Sequence, residues 1–171
     1  MRKFRDGFSM LVAIFVIMLL AIVSSYIFNV SSSTTKTGTI QYQADQARLY
    51  ARSFTEYAIL AASGNDRTTL GNCISTINST IGTNPSNGQG YQITVDLTYI
   101  GNQKYIQYCT NKAAVLSNND VDTLSIIVDV YVRYKDYQQV AVAADASKVP
   151  WITYHRRSIQ KLWENITHLQ W

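Results

Sequence analysis

The sequence predicts an α+β fold: one long N-terminal helix, apolar first and amphipathic after, packed on a small antiparallel β-sheet. Three observations carry this. Phe8 to Val30 is an apolar run. Gln41 to Ser63 then repeats small apolar residues at three- and four-residue steps, the spacing of one helix face. Beyond Tyr91 the period changes to two, and the apolar positions alternate with polar ones as in half-buried strands. A helix followed by strands, without βαβ alternation, is an α+β order.

The first element starts abruptly. MRKFRDG holds Arg2, Lys3 and Arg5, and Phe8 opens a stretch with no charged residue as far as Ser33. Phe8 to Val30 is 23 residues, about 34 Å as a helix, enough to span a bilayer with some tilt. The bases lie before it and the next one is Lys36, so the positive-inside rule places the N-terminus in the cytoplasm and the rest outside it. Ser31 to Thr39, SSSTTKTGT, is poor helix sequence. It reads either as a linker or as a weak section within one helix. The second reading is preferred, because helical sequence resumes at once. In Gln41 to Ser63 the stripe is Ile40, Ala44, Ala47, Ala51, Phe54, Ala58 and Ala61, and Gly64-Asn65 supplies a stop. An alanine-rich stripe requires something to approach closely, and a sheet across the helix does so.

The remaining chain, 64–171, is expected to be a globular, β-rich domain. Thr69 to Ile81 reads as a short helix around Cys73, Ile74 and Ile77, and Thr83 to Gly90 as a loop. Tyr91 to Ile100 alternates cleanly; Gly101-Asn102 reads as a turn leading into Lys104 to Thr110 as a hairpin partner. Leu124 to Tyr134 is the strongest strand, rich in β-branched and aromatic residues. Ala141 to Ala146 fits more than one state. Trp151 to Trp163 reads as a last strand with Ile152, Tyr154, Arg156 and Ser158 on one face, and the tail to Trp171 as a short helix.

Composition narrows the class. Charged residues make up 15% of the chain, below a typical soluble domain, while tyrosine occurs twelve times. The net charge is +4; after Gly7 there remain 12 bases and 10 acids, or +2, too near neutral to argue for nucleic acid. Both cysteines, Cys73 and Cys109, follow the apolar segment. Two cysteines in an extracytoplasmic domain pair more often than they remain separate buried thiols.

Few residues carry chemistry. His155 and His168 lie in no metalloprotease, nucleophile-elbow or phosphate-binding motif. No catalytic residue, metal or cofactor is therefore expected, and the chain does not read as an enzyme. Asp120 and Asp122, with Asn118 and Asn119, offer hard oxygen ligands of the kind calcium takes, although the spacing matches no EF-hand and an Asx-rich turn explains it as well. His155, Arg156, Arg157 and Lys161 form a basic cluster near Tyr154 and Trp163, a combination that suits phosphate or single-stranded DNA contact. An exposed strand face is the competing account. Asn78-Ser79-Thr80 and Asn165-Ile166-Thr167 fit a glycosylation acceptor pattern that is common by chance.

The order of leader, glycine and apolar run is inverted relative to a secretory signal, whose cut site follows its apolar stretch. It resembles the class III leader of type IV prepilins and of the pseudopilins of type II secretion systems. The matching residues are Arg2, Lys3 and Arg5, Gly7 before the cut, Phe8 as new N-terminus, and the uncharged helix to Ser33. The resemblance covers about the first 63 residues and is architectural beyond them. It implies that prepilin peptidase cleaves between Gly7 and Phe8 and methylates the Phe8 amine. It implies further that the protein sits in the bacterial inner membrane with its domain in the periplasm. From there, an assembly platform would build it through its helix into a filament of pilin or pseudopilin subunits. Some major pseudopilins of that family use an acidic loop for calcium.

One position departs from the family. The fifth residue after the cut is a glutamate in most pilins and is Val12 here. In the filament that acid neutralises the N-terminal ammonium of the subunit ahead, and a buried unpaired ammonium is costly. A subunit with nothing ahead of it omits the acid at no cost, so the resemblance points to a minor, tip-associated pseudopilin. Two other readings stay open: a minor pilin of a DNA-uptake apparatus, contacting DNA through Arg156, Arg157 and Lys161, and a single-span periplasmic protein that joins no filament.

Overall fold

The computed structural model describes residues 5–65, 67–116 and 124–162. In order, the elements are α1 (Arg5–Gly64), α2 (Arg67–Leu70), β1 (Thr76–Asn84), β2 (Gln89–Asn102), α3 (Gln103–Ile106), β3 (Lys112–Leu116), β4 (Leu124–Tyr134), α4 (Tyr137–Val142) and β5 (Ile152–Leu162). Short 3₁₀ turns lie at Pro85–Asn87 and Ala146–Lys148. The chain forms two compact units that meet between Tyr42 and Gln43.

In the first unit α1 keeps its apolar side chains in the open. Ile17 is 65% exposed and Phe28 77%, and from Met10 to Val30 no side chain packs against a core. Ser31 to Thr39 remains helical despite its composition. Relative to an alanine run, the propensities of these nine residues cost about 5 kcal/mol. Four threonines lean back on the helix: the hydroxyls of Thr34, Thr35, Thr37 and Thr39 donate to the carbonyls of Val30, Ser31, Ser33 and Thr35 at 3.0–3.1 Å.

In the second unit the rest of α1, from Gln43, lies across the sheet. Ala47, Ala51, Ala58 and Ala62 are fully buried against Ile93, Val95, Leu97, Tyr99, Ile126, Val128 and Val130. The buried row ends on Ala62, one position past the expected Ala61, and includes Thr55, whose hydroxyl donates to the Ala51 carbonyl at 2.7 Å. Small side chains allow the close approach, and aromatic residues fill the end of the contact near Gln43. Tyr91 packs edge-on against Tyr50 at 5.1 Å, tilts against Tyr134 at 5.5 Å, and donates its hydroxyl to the Gln43 carbonyl at 3.2 Å.

The sheet has the order β1-β2-β4-β5, each pair antiparallel. The fifth strand, β3, runs parallel to β2 beside Tyr99–Asn102, where β1 no longer reaches. Alternation gives β2 and β4 one apolar face toward α1 and one mixed face away from it. The Cys73–Cys109 disulfide, Cα atoms 4.9 Å apart, ties the entry to β1 to the exit from α3. Tyr99, in the core beside it, donates its hydroxyl to the Ile74 carbonyl at 2.9 Å, and burial pushes its phenol above the ordinary range.

Two expectations are corrected, and one open segment is decided. Thr69 to Ile81 is not a helix: α2 ends at Leu70, and Thr76 onward is strand β1, with Ile77 and Ile81 turned to the core. Lys104 to Thr110 is not a hairpin strand. Gly101 and Asn102 remain in β2, and the Asn102 side chain accepts from the Lys104 amide at 3.0 Å, which starts α3; the partner strand is the parallel β3. The segment around Ala141 resolves as α4, capped by Asp136, whose carboxylate accepts from the Gln138 amide at 2.9 Å.

The turn between β1 and β2 depends on Gly88, which sits at φ +73°. A Cβ there would come within 2.8 Å of the Tyr137 Cα, backbone that has no room to yield. Gly88→Ala is expected to destabilise the domain by about 2 kcal/mol or more, read as a lower urea midpoint with unchanged slope.

Candidate functional site

Two regions hold several of the residues that the sequence singles out. The first is the start of α1. Gly7 and Phe8 lie within the helix, and Val12 is 44% exposed. Among the described residues this is the one helix long and apolar enough to cross a membrane. Arg2 and Lys3 lie outside the described residues.

The second region is the face of the sheet that α1 leaves uncovered. Register places Asp96, Asp129 and Arg157 side by side on β2, β4 and β5, with Tyr131 beside His155 in the next row. Asp129 is the hub, only 8% exposed. Its Oδ1 accepts from Arg157 Nε at 2.7 Å and from His155 Nε2 at 2.8 Å, and its Oδ2 accepts from the second Arg157 nitrogen at 3.0 Å. His155 stacks on Tyr131 at 4.5 Å with the rings 11° apart. Across the sheet the Thr76 hydroxyl donates to Asp96 Oδ1 at 3.1 Å. The forked bond from Arg157, helped by His155 and opposed by burial, holds the Asp129 carboxyl below the usual carboxylate range.

A depressed carboxyl contributes stability at pH values above its unfolded value, and that contribution is lost as pH falls through the folded one. Asp129→Asn is therefore expected to be less stable than the parent from neutral pH down to about 5. The gap should close below the ordinary value of 3.8, as acid titrates the parent's carboxylate. Urea unfolding at a series of pH values measures it, and a gap constant down to pH 2.5 would refute it.

The basic cluster does not form as one group. Arg156 pairs in register with Val130 and projects on the α1 side, whereas His155, Arg157 and Lys161 share the open face. Both His155 and Arg157 spend hydrogen bonds on Asp129, and Lys161 has an interaction of its own. Asp129 escaped notice in the sequence, although an acid inside the apolar run LSIIVDVYVRY is the signal that marks it. Asp120, Asp122, His168 and Asn165 lie outside the described residues. Asn78 is exposed on β1, beside a groove of about 390 Å³ lined also by Ser53, Phe54, Tyr57, Ile77 and Ser79, none of them charged. Among the described residues no three His, Cys, Asp or Glu side chains converge as metal ligands.

The arrangement defines a class: a disulfide-closed α+β domain carried by a helix of membrane-spanning length. No protein-family model, curated protein or solved structure matches the chain.

Proposed function

We propose that this chain is a pilin-like subunit, a minor pseudopilin of a secretion- or pilus-type filament, processed after Gly7 and assembled through its N-terminal helix. The observation that carries the reading is the Gly7–Phe8 junction placed before an uncharged helix. A plain anchor has no need of such a junction at the membrane edge. The exposure of the apolar stretch, from Met10 to Val30, fits a segment that trades lipid for the helices of neighbours. The sheet domain lies in the periplasm and carries specificity. Val12 supports a place at the filament tip, where no ammonium ahead needs an acid. Long filaments formed in cells by this protein alone would exclude that place.

The DNA-uptake reading loses support from the open face, where Asp129 already occupies Arg157 and His155. It predicts that replacing Arg156 and Arg157 with alanine weakens DNA binding; the secretion reading predicts no measurable binding in either form. The single-span anchor remains the competitor of a different class. It retains residues 1 to 7, so analysis of the N-terminus separates the two.

A further inference from the structure

We propose that the outer edge of β1 is a docking site for an extended peptide segment, uncharged and apolar at alternate positions, which adds to the sheet as one more strand. Among the described residues β1 pairs with β2 alone, so its other side is open. The Leu97 amide donates to the Ser75 carbonyl at 2.8 Å. Alternation from that bond turns the backbone of Ile77, Ser79 and Ile81 toward β2. Thr76, Asn78 and Thr80 therefore aim their N–H and C=O groups outward, at the spacing an added strand needs. Proteins commonly blunt such edges with charge or proline. The far edge, β5, carries Arg156, Arg157 and Lys161. By contrast β1 reads TINSTIGTN, with neither a charge nor a proline. Its one irregularity, between Gly82 and Asn84, leaves Thr76–Ile81 regular.

The groove beside this edge decides what fits. It lies between α1 and β1, wholly within the second unit, and holds about 390 Å³. Phe54, Tyr57 and Ile77 give it apolar walls, and the two rings meet edge-on at 6.1 Å. Ile77 and Ser79 are the half-buried positions of β1 there, turned to the α1 side. A strand added alongside sends every second side chain to that same side, and so into the groove. No lining residue is charged, so a charged side chain would lose water there without gaining a partner. Main-chain bonds along β1 would supply affinity and the groove would select side chains, the mode known as β-augmentation. A second copy of this chain lacks the means to fill the groove. The inward residues of its own β1, Ile77 and Ile81, already pack against its own core. The site does not rest on the filament reading, since a plain anchor would possess it equally.

The test is fluorescence anisotropy of a synthetic peptide, fluorescein-TVTFTVT-amide, titrated with the full chain in dodecyl maltoside micelles. On β1 its valines and phenylalanine would enter the groove and its threonines would face away. Saturable binding in the micromolar range is expected, above that of empty micelles. Asn78→Pro removes an outward N–H that the added strand would use, at an edge position where proline is accepted. It should weaken binding about tenfold or more. Ser53→Trp fills the groove from an exposed position on α1 and should weaken binding to a similar degree. This second variant keeps the test decisive if the proline variant fails to fold. No saturable binding, or equal binding by the parent and the folded variants, would overturn the proposal. So would dimers of the parent that Asn78→Pro or Ser53→Trp dissolves, since they would make a second copy the occupant.

Discussion

Substituting arginine at both Ile17 and Leu20 is expected to abolish membrane insertion and assembly together. The two residues flank the centre of Phe8–Val30 and are 65% and 60% exposed, so neither contributes to a protein core. An arginine near the middle of a membrane helix costs about 2.5–3.5 kcal/mol, so the pair costs on the order of 6 kcal/mol. That is a shift of more than a thousandfold in any insertion equilibrium. The sheet domain belongs to the other unit and should fold as before, with its disulfide formed. Fractionation and alkaline extraction of membranes measure the effect. A double variant that stayed in the membrane fraction and still joined filaments would show that the apolar stretch does not do this work.

Loss of the disulfide is the second large effect. The Cys73–Cys109 bond spans 36 positions of sequence and encloses all of β1 and β2. In the chain-entropy model, closing a loop of that length stabilises by about 4 kcal/mol, a large share of the total for one small domain. Replacing both cysteines with serine should lower unfolding stability by roughly that amount. The added cost falls at Cys109, only 3% exposed, where a serine hydroxyl would be buried. Urea unfolding of the double variant checks this, and a loss below about 1 kcal/mol would mean that packing alone holds these ends together.

The elements with strong single periods were legible in the sequence, and the ambiguous ones were not, for identifiable reasons. The alanine steps of α1 and the alternation of β2, β4 and β5 each fit one geometry only. In Thr69 to Ile81 the isoleucines Ile77 and Ile81 stand four apart, a spacing that puts them on one face of a helix and equally on one face of a strand. The abundance of β-branched threonine and isoleucine there was the better guide, and it favoured a strand. Gly101-Asn102 has turn composition, yet the pair stays in β2 because Leu124 lies across from Gly101, and Asn102 spends its side chain on capping α3. At the candidate site the error was one of adjacency. Residues 155 to 157 are neighbours in sequence, and strand alternation sends Arg156 to the opposite face. The Asp129 hub depends on register between β4 and β5, which no local pattern specifies.

The central claim concerns the first eight residues and is tested there. The measurement is the N-terminus of the membrane-purified protein by mass spectrometry, in cells with and without prepilin peptidase. The account predicts a chain that begins at N-methylated Phe8 when the peptidase is present and retains residues 1 to 7 when it is absent. A chain that keeps those residues in both strains would contradict it and leave a single-span anchor.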